Sequence, residues 1–220
     1  MAVELVDHNK SDRAPDRRPA MRLNLRFRPT EWLLPVAILI MLLAVMHGGE
    51  HAAQALRYER AAVLSGEAWR LLTGHLVHAD GSHLLWNALG LALVFALFAG
   101  EYAPVEWVAI MLASTAAIDL GFLVFEPQMA WYVGLSGVLH GLMAAGLAAW
   151  LRERRDLVCV AIAAIFIGKL TWEHLRGPLP FTAESLTVPV IHEAHTYGAV
   201  GGALCAMILL ACRSRPRPPL

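Results

Sequence analysis

Apolar residues in this chain are gathered into six long runs that are separated by short polar segments. The runs lie near residues 32–47, 84–100, 104–125, 133–151, 157–172 and 193–212. Their lengths approach the roughly 20 apolar residues that a helix needs to cross a bilayer. Segment 48–82 is longer and mixed, and its Trp69 and Arg70 favour a position at the membrane interface. The pattern predicts an all-α membrane protein of six transmembrane helices with a long interfacial first loop.

The composition supports a membrane protein and argues against a soluble or nucleic-acid-binding one. Hydrophobic residues make up 57% of the chain and charged residues 16%, which is too apolar for a typical soluble domain. The formal net charge is zero, so overall charge does not favour nucleic acid as a partner. The lipid bilayer is the expected environment.

Basic residues are distributed unevenly along the chain. With six spans and an internal N-terminus, most of them fall on the inner side, which predicts that both termini are cytoplasmic. We expect a flexible basic tail at 1–30, a membrane domain at 31–212, and a second basic tail at 213–220. The inner-side residues are Lys10, Arg13, Arg17, Arg18, Arg22, Arg26, Arg28, Arg152, Arg154, Arg155, Arg213, Arg215 and Arg217.

Three polar residues are predicted to lie at one depth in the membrane. Ser136 lies about 24 Å along its helix from Arg152, at a rise of ~1.5 Å per residue. His195 lies about 27 Å from Arg213, and Asn87 about 21 Å from Glu101, on the same measure. All three therefore lie somewhat below the outer surface of a hydrocarbon core ~30 Å thick.

Serine and histidine at matching depth indicate nucleophilic catalysis. A serine hydroxyl is a poor nucleophile until a base removes its proton, and histidine titrates in a useful range, so His195 is the candidate base for Ser136. The oxyanion that forms on attack needs positioned donors. Free backbone N–H groups at the start of the Ser136 helix could supply them, together with the side chains of Asn87 and His83.

Small residues lie directly beneath the serine and the histidine. Gly137 and Gly141 share one helix face, and Gly198 and Gly202 share another. Such small-xxx-small pairs let membrane helices approach closely, which would bring Ser136 and His195 within hydrogen-bonding distance.

These residues together resemble the rhomboid family of intramembrane serine proteases, from Trp69-Arg70 to the end of the sixth run. The resemblance implies a six-helix rhomboid-like bundle, with Ser136 as nucleophile, His195 as general base, and Asn87 with His83 as oxyanion stabilisers. His78 and Arg70 would be structural residues of the first loop. The matching pieces are Trp69-Arg70, His78, His83 and Asn87 in HADGSHLLWN, Gly134-Leu135-Ser136-Gly137, and His195 with Gly198 and Gly202.

One position departs from the rhomboid pattern. Rhomboids usually have a tyrosine four residues after the serine, stacked on the catalytic histidine, and here that residue is His140. His140, the small build and the stretch from Lys169 to Glu173 resemble the rhombosortase branch. That resemblance implies a bacterial inner-membrane enzyme whose transmembrane protein substrates end in a Gly-Gly motif, an apolar helix and a basic tail. It also implies possible transfer of the acyl group to an amine.

Several of these residues also have structural interpretations. A serine between glycines is often packing in membrane helices, and Asn87 could make an interhelical hydrogen bond. His140 could be a second base, because residues four apart share a helix face; we expect instead that it packs on or hydrogen-bonds His195. Asp119 could bond to a neighbouring helix or belong to an ion path.

Metal binding is a competing interpretation of the histidines. No cysteine or carboxylate completes a compact ligand set in the sequence, so we expect neither a metal site nor a cofactor. The outer-loop residues His47, Glu50, His51 and His75 are expected to be solvated. The spaced pairs are His75 and His78, His192 and His195, and His47 and His51.

Other function classes stay open. A generic rhomboid protease would accept broader substrates, and a rhomboid-like pseudoprotease would bind membrane helices without cutting them. A histidine-lined metal or proton carrier would not need Ser136. The sequence gives no indication of the oligomeric state.

Overall fold

The protein is a bundle of helices in which a long first loop, built from short helices and one short strand, connects the first long helix to the second. A computed structural model describes residues 29–154, 156–180 and 188–213, so almost all of the predicted basic tails lies outside the described residues. After a 3₁₀ turn at Pro29–Trp32, the helices are α1 (Leu33–His47), α2 (Gly49–Leu56), α3 (Arg60–Leu64), α4 (Arg70–Thr73), α5 (Gly81–Phe98), α6 (Pro104–Phe125), α7 (Ser136–Glu153), α8 (Leu157–Arg176) and α9 (Glu193–Arg213).

Five of the described helices are long and apolar enough to cross a membrane. They include the 3₁₀ turns that extend α1 and α5, and their bounds are Pro29–His47, Gly81–Glu101, Pro104–Phe125, Leu157–Arg176 and Glu193–Arg213. The remaining apolar run forms α7, whose glycines, alanines and terminal charges lower its hydropathy. The prediction of six spans is therefore not confirmed, although each predicted apolar run is a helix.

Helix α7 lies at the centre of the bundle. It packs most extensively on α9 and also contacts α5, α6 and α8. More than half of its residues are buried, including Gly137, Gly141 and Gly146. A helix that is surrounded by protein has little lipid to face, so small side chains that allow close packing replace the large apolar ones.

The contact between α7 and α9 is made backbone to backbone. A Cβ added at Gly198 would overlap the backbone of Gly137, and one added at Gly202 would overlap the backbone of Gly141. The two small-residue faces are therefore the faces that meet, and they do so directly behind the first turns of both helices.

The first loop is held together by Arg70, which is buried despite its charge. Its guanidinium donates to the carbonyl oxygens of Gln54 and Arg57 at 2.7 and 2.9 Å and pairs with the Glu67 carboxylate at 2.6 Å. One cation thus ties the end of α2 to the start of α4.

The loop is also fastened to the segment that precedes α7. Strands β1 (Tyr58–Glu59) and β2 (Trp131–Tyr132) pair antiparallel. The Gly134 N–H donates to the Gly74 carbonyl at 3.2 Å. The chain that leads into α7 is therefore positioned by the loop.

The expectation that His75 is solvated was wrong. The loop folds back on α6, so His75 is only 2% exposed, with its Nε2 3.4 Å from Asp119 Oδ1 and its ring edge on Tyr132. Asp119 thereby gains the neighbouring partner that a buried carboxylate needs.

The close approach of α7 and α9 predicts that Gly202→Ala destabilises the protein. An added methyl group has no space against Gly141, and overpacking of this kind costs about 1–3 kcal/mol. Gly168→Ala is the matched control, because a Cβ at Gly168 in α8 meets nothing within 4 Å. Thermal unfolding of the purified protein in detergent, followed by circular dichroism, should show a lower Tm for Gly202→Ala only. An equal Tm in both variants would contradict the packing account.

Candidate active site

Ser136 and His195 are hydrogen-bonded at one end of the bundle. Ser136 is the first residue of α7, and His195 lies in the first turn of α9. Because the glycine faces bring these two helix starts together, Ser136 Oγ lies 3.0 Å from His195 Nε2. In this geometry the hydroxyl can donate its proton to an unprotonated Nε2.

The other nitrogen of His195 faces a buried carboxylate. His195 Nδ1 lies 2.9 Å from Glu173 Oε2, and Glu173 is 1% exposed. From the sequence, Glu173 belongs to the stretch from Lys169 and needs a partner if it is buried, but sequence reasoning assigns it no catalytic role. The signal in the sequence was the spacing of Lys169 and Glu173. Opposite charges one turn apart on an apolar helix favour a position that faces the protein interior.

Lys169 and His140 extend this hydrogen-bonded chain. Lys169 Nζ lies 2.6 Å from Glu173 Oε2 and 2.8 Å from His140 Nε2. The His140 ring is stacked on the His195 ring, with centroids 4.0 Å apart and planes 15° apart. His140 Nδ1 lies 2.7 Å from the Ser136 carbonyl oxygen. His140 thus occupies the stacking position without contacting the serine hydroxyl as a base would.

Asn87 and His83 line the same cavity as Ser136. Asn87 Nδ2 donates to the His83 carbonyl at 2.9 Å, and its Oδ1 accepts no hydrogen bond from the described residues. The Asp80 carboxylate caps α5 by accepting from the His83 N–H at 2.8 Å. Gly134 has φ +119° and lies against the His83 ring, where a Cβ would be 2.7 Å from the ring nitrogen Nε2. Glycine is therefore required here both by conformation and by space.

His78 supports the site from outside the long helices. It is 5% exposed, its Nδ1 lies 3.2 Å from the Leu76 carbonyl oxygen, and its ring packs edge-on against His83. Burial, followed by the nearby charge of His83, lowers the pKa of His78 to about 4. His78 is therefore neutral at physiological pH and acts as a packing residue in this structure.

The serine opens onto a largely apolar cavity of about 340 Å³. This volume is at the small end of ligand-binding pockets. Its polar side carries Asn87, His83 and the Ser136–His195 pair. Apolar residues from α5, α7, α8 and the segments before α7 and α9 form most of the remaining wall, among them Trp86, Leu139, Met143, Phe166 and Val190. The site therefore offers one reactive hydroxyl at the edge of an apolar space.

His140, Glu173 and His195 also converge as possible metal ligands. One ligand atom from each lies within 4.8 Å of the others. The Lys169 ammonium already contacts two of these atoms, so a metal cation would have to displace a positive charge that the site itself supplies. The arrangement is better explained as a hydrogen-bonded chain than as a metal centre.

A serine, a histidine and a carboxylate in hydrogen-bonded series is the arrangement of serine hydrolases. Here the series lies among long apolar helices, and the class of protein so defined is an intramembrane serine protease. Residues 65–212 match the family model described as the rhomboid domain, which is more than half of the chain. The chain belongs to the rhomboid family.

Relatives named as rhomboid proteases agree with this assignment. YdcA of Bacillus subtilis is 27% identical over 153 residues, covering 70% of this chain and 73% of the relative. GlpG of an Enterobacter species is 27% identical over 199 residues, covering 83% of this chain and 64% of the relative. GlpG of Salmonella choleraesuis is 26% identical over 166 residues, with shares of 68% and 56%. The chain thus spans less than two thirds of the length of both GlpG relatives.

The lowered pKa of His78 predicts an acid-dependent loss of stability. Between pH 6.5 and about 4 the unfolded chain binds a proton at this residue that the folded chain does not. The stabilisation is fully present above pH 6.5 and is lost as the pH falls toward 4. The variant His78→Gln should therefore show a Tm that changes less over this window than that of the unaltered protein. The exposed His51→Gln is the control, and a slope for His78→Gln equal to the control slope would contradict the assignment.

Proposed function

We propose that this chain cleaves transmembrane protein substrates near the outer face of the bacterial inner membrane, with Ser136 as nucleophile and His195 as base. The observation that carries the proposal is the 3.0 Å hydrogen bond between Ser136 Oγ and His195 Nε2 at the edge of the cavity. Membership of the rhomboid family supports the same reaction class.

The reaction follows from this geometry. His195 Nε2 takes the Ser136 proton while Oγ bonds to the carbonyl carbon of the scissile peptide, giving a tetrahedral oxyanion. Nε2 then gives the proton to the leaving amine, the C–N bond breaks, and an acyl-enzyme remains. A water molecule then enters and gives a proton to His195 Nε2. The water oxygen attacks the acyl carbon and displaces Ser136 Oγ, which releases a carboxylic acid. The serine then regains the proton from Nε2.

The oxyanion needs donors that are in place before the reaction. Backbone N–H groups at the start of α7 are free of intrahelical partners, as at any helix start. Asn87 has one amide hydrogen engaged by the His83 carbonyl, which fixes the orientation of its amide group. Its second hydrogen is available for the oxyanion, and His83 lies beside it in the cavity wall.

We propose a substrate with small residues at the cleaved bond. A peptide bond inside a helix is shielded by its own hydrogen bonds and side chains, so cleavage requires local unwinding, which glycine favours. The departure at His140 and the stretch from Lys169 to Glu173 support the rhombosortase branch. Its substrates would carry a Gly-Gly motif, an apolar helix and a basic tail, and an amine could replace water as the acyl acceptor.

The proposed topology has six spans and cytoplasmic termini. Helix α7 has 18 residues, about 27 Å at the helical rise, which is close to the ~30 Å hydrocarbon core. Its central packing explains why its hydropathy is lower than that of the five other helices. The uneven distribution of lysine and arginine supports the orientation. Domain bounds of 1–30, 31–212 and 213–220 are part of the same proposal.

A generic rhomboid protease with broader substrates is the second candidate. The observation that favours it is that the three relatives described above are named as rhomboid proteases. The two candidates share the chemistry at Ser136 and differ only in substrate selection.

Ser136→Ala and His195→Ala should abolish cleavage of a membrane-embedded reporter, because each removes an atom that forms or breaks a bond. His140→Ala should reduce kcat by roughly 10- to 100-fold, since it loosens the stacked ring of His195 without removing the base. Cleavage by purified protein in liposomes, followed on gels, measures all three. Full activity of His195→Ala with loss in His140→Ala would reverse the assignment of the base.

A reporter with a Gly-Gly, apolar-helix, basic-tail C-terminus should be released by the protein in a Ser136-dependent manner. A matched reporter in which Leu-Leu replaces Gly-Gly should be cleaved much more slowly, because leucine keeps the segment helical. Mass spectrometry of the released product distinguishes a free carboxylate from an amide formed with an added amine. Cleavage of the Leu-Leu reporter alone would support the generic rhomboid.

A further inference from the structure

We propose that Glu173 is a positioning residue that completes a Ser136–His195–Glu173 series, and that Lys169 and His140 hold its carboxylate in place. The inference rests on the proposed function, since it deepens the account of the same site. A serine–histidine pair acting alone would need none of these three side chains, whereas here each of them has a role.

Hydrogen-bond chemistry determines which nitrogen of His195 carries the proton. A carboxylate oxygen only accepts, so the 2.9 Å contact with Glu173 Oε2 requires a proton on Nδ1. In the neutral ring this leaves Nε2 with a lone pair directed at the Ser136 hydroxyl, 3.0 Å away. Glu173 therefore selects the one tautomer in which His195 can act as a base.

The same reasoning determines which ring nitrogen of His140 carries the proton. The Ser136 carbonyl oxygen only accepts, so the 2.7 Å contact places a proton on His140 Nδ1. Its Nε2 then accepts from the Lys169 ammonium at 2.8 Å. Lys169 donates at the same time to Glu173 Oε2 at 2.6 Å. Each described contact in the series thus pairs one donor with one acceptor. No proton has to be shared between two of these hydrogen bonds.

The location of Glu173 argues against a chance surface pair. Helix α8 buries only Cys159, Ala163 and Glu173 among its described residues, so its one inward carboxylate is directed at His195. Ionised groups at this depth are costly unless they are paired and hydrogen-bonded. The Lys169 ammonium supplies that compensation, with its side chain 26% exposed while that of Glu173 is 1% exposed.

The carboxylate has most effect when His195 takes the serine proton. The ring then carries a positive charge, and a buried negative group 2.9 Å from Nδ1 stabilises that charge without any rearrangement. The interaction strengthens during the reaction, so its loss should lower kcat and leave KM nearly unchanged.

Glu173→Gln tests the proposal, because it keeps the shape and removes the charge. Its kcat on the Gly-Gly reporter should fall on the order of 10²- to 10⁴-fold, with KM little changed. The rate at which a fluorophosphonate labels Ser136 should fall in parallel, and this readout needs no protein substrate. Glu173→Asp, which restores the carboxylate at shorter reach, should recover part of both rates.

Two controls keep the result interpretable. Glu193→Gln removes a carboxylate near His195 that pairs with His192 and does not contact the ring of His195, so both rates should stay unchanged. If Glu173→Gln alone fails to fold because Lys169 is left unpaired, the double variant Glu173→Gln/Lys169→Met removes both charges. With an unchanged Tm, it should show the same loss of kcat.

The outcomes separate this inference from the proposed function. Wild-type kcat and labelling in Glu173→Gln, with Ser136→Ala inactive, would overturn the role of Glu173 and leave the protease intact. Equal recovery by Glu173→Asp and by an uncharged residue such as Glu173→Leu would also overturn it. An unaltered protein that neither labels at Ser136 nor cleaves any reporter would overturn both.

Discussion

The backbone contact between α7 and α9 is the constraint on which the rest of the structure depends. Lipid tails are as apolar as leucine side chains, so membrane helices gain little from hydrophobic burial against each other and associate through close packing. Gly137 and Gly141 meet Gly198 and Gly202 without intervening side chains. Because the contact is this close, the first turns of both helices are side by side, and Ser136 can reach the ring of His195.

A second constraint follows from placing polar groups in apolar surroundings. A buried hydroxyl, imidazole or carboxylate is costly unless its hydrogen bonds are made within the protein. Here one series runs from Lys169 through Glu173 and His195 to Ser136, with contacts of 2.6, 2.9 and 3.0 Å. The hydrogen bonds that make burial tolerable are the same ones that orient the Ser136 hydroxyl and the His195 ring, so stability and the proposed catalysis would depend on one set of contacts.

The helices and the serine–histidine pair could be predicted from the sequence, because both follow from local pattern and from depth along a helix. The contact of Glu173 with His195 could not be predicted, because it depends on which face of α8 is turned toward α9. The spacing of residues along the sequence does not determine that orientation. His75 was misplaced for a related reason: exposure of a loop residue depends on whether the loop folds back onto α6. The span count stayed open because α7 packs with small residues instead of large apolar ones.

His140 and the Lys169–Glu173 ion pair on α8 form one connected hydrogen-bonded unit. An imidazole can stack on His195 while it donates from Nδ1 to the Ser136 carbonyl and accepts at Nε2 from Lys169. A phenol ring could stack as well, but it has no ring nitrogen, and its one acceptor is the hydroxyl oxygen outside the ring. Lys169 would therefore lose the contact that it makes with the ring edge of His140, which is part of what holds the counter-ion of the buried Glu173 in place. The departure from tyrosine at this position is therefore consistent with the carboxylate that lies behind His195.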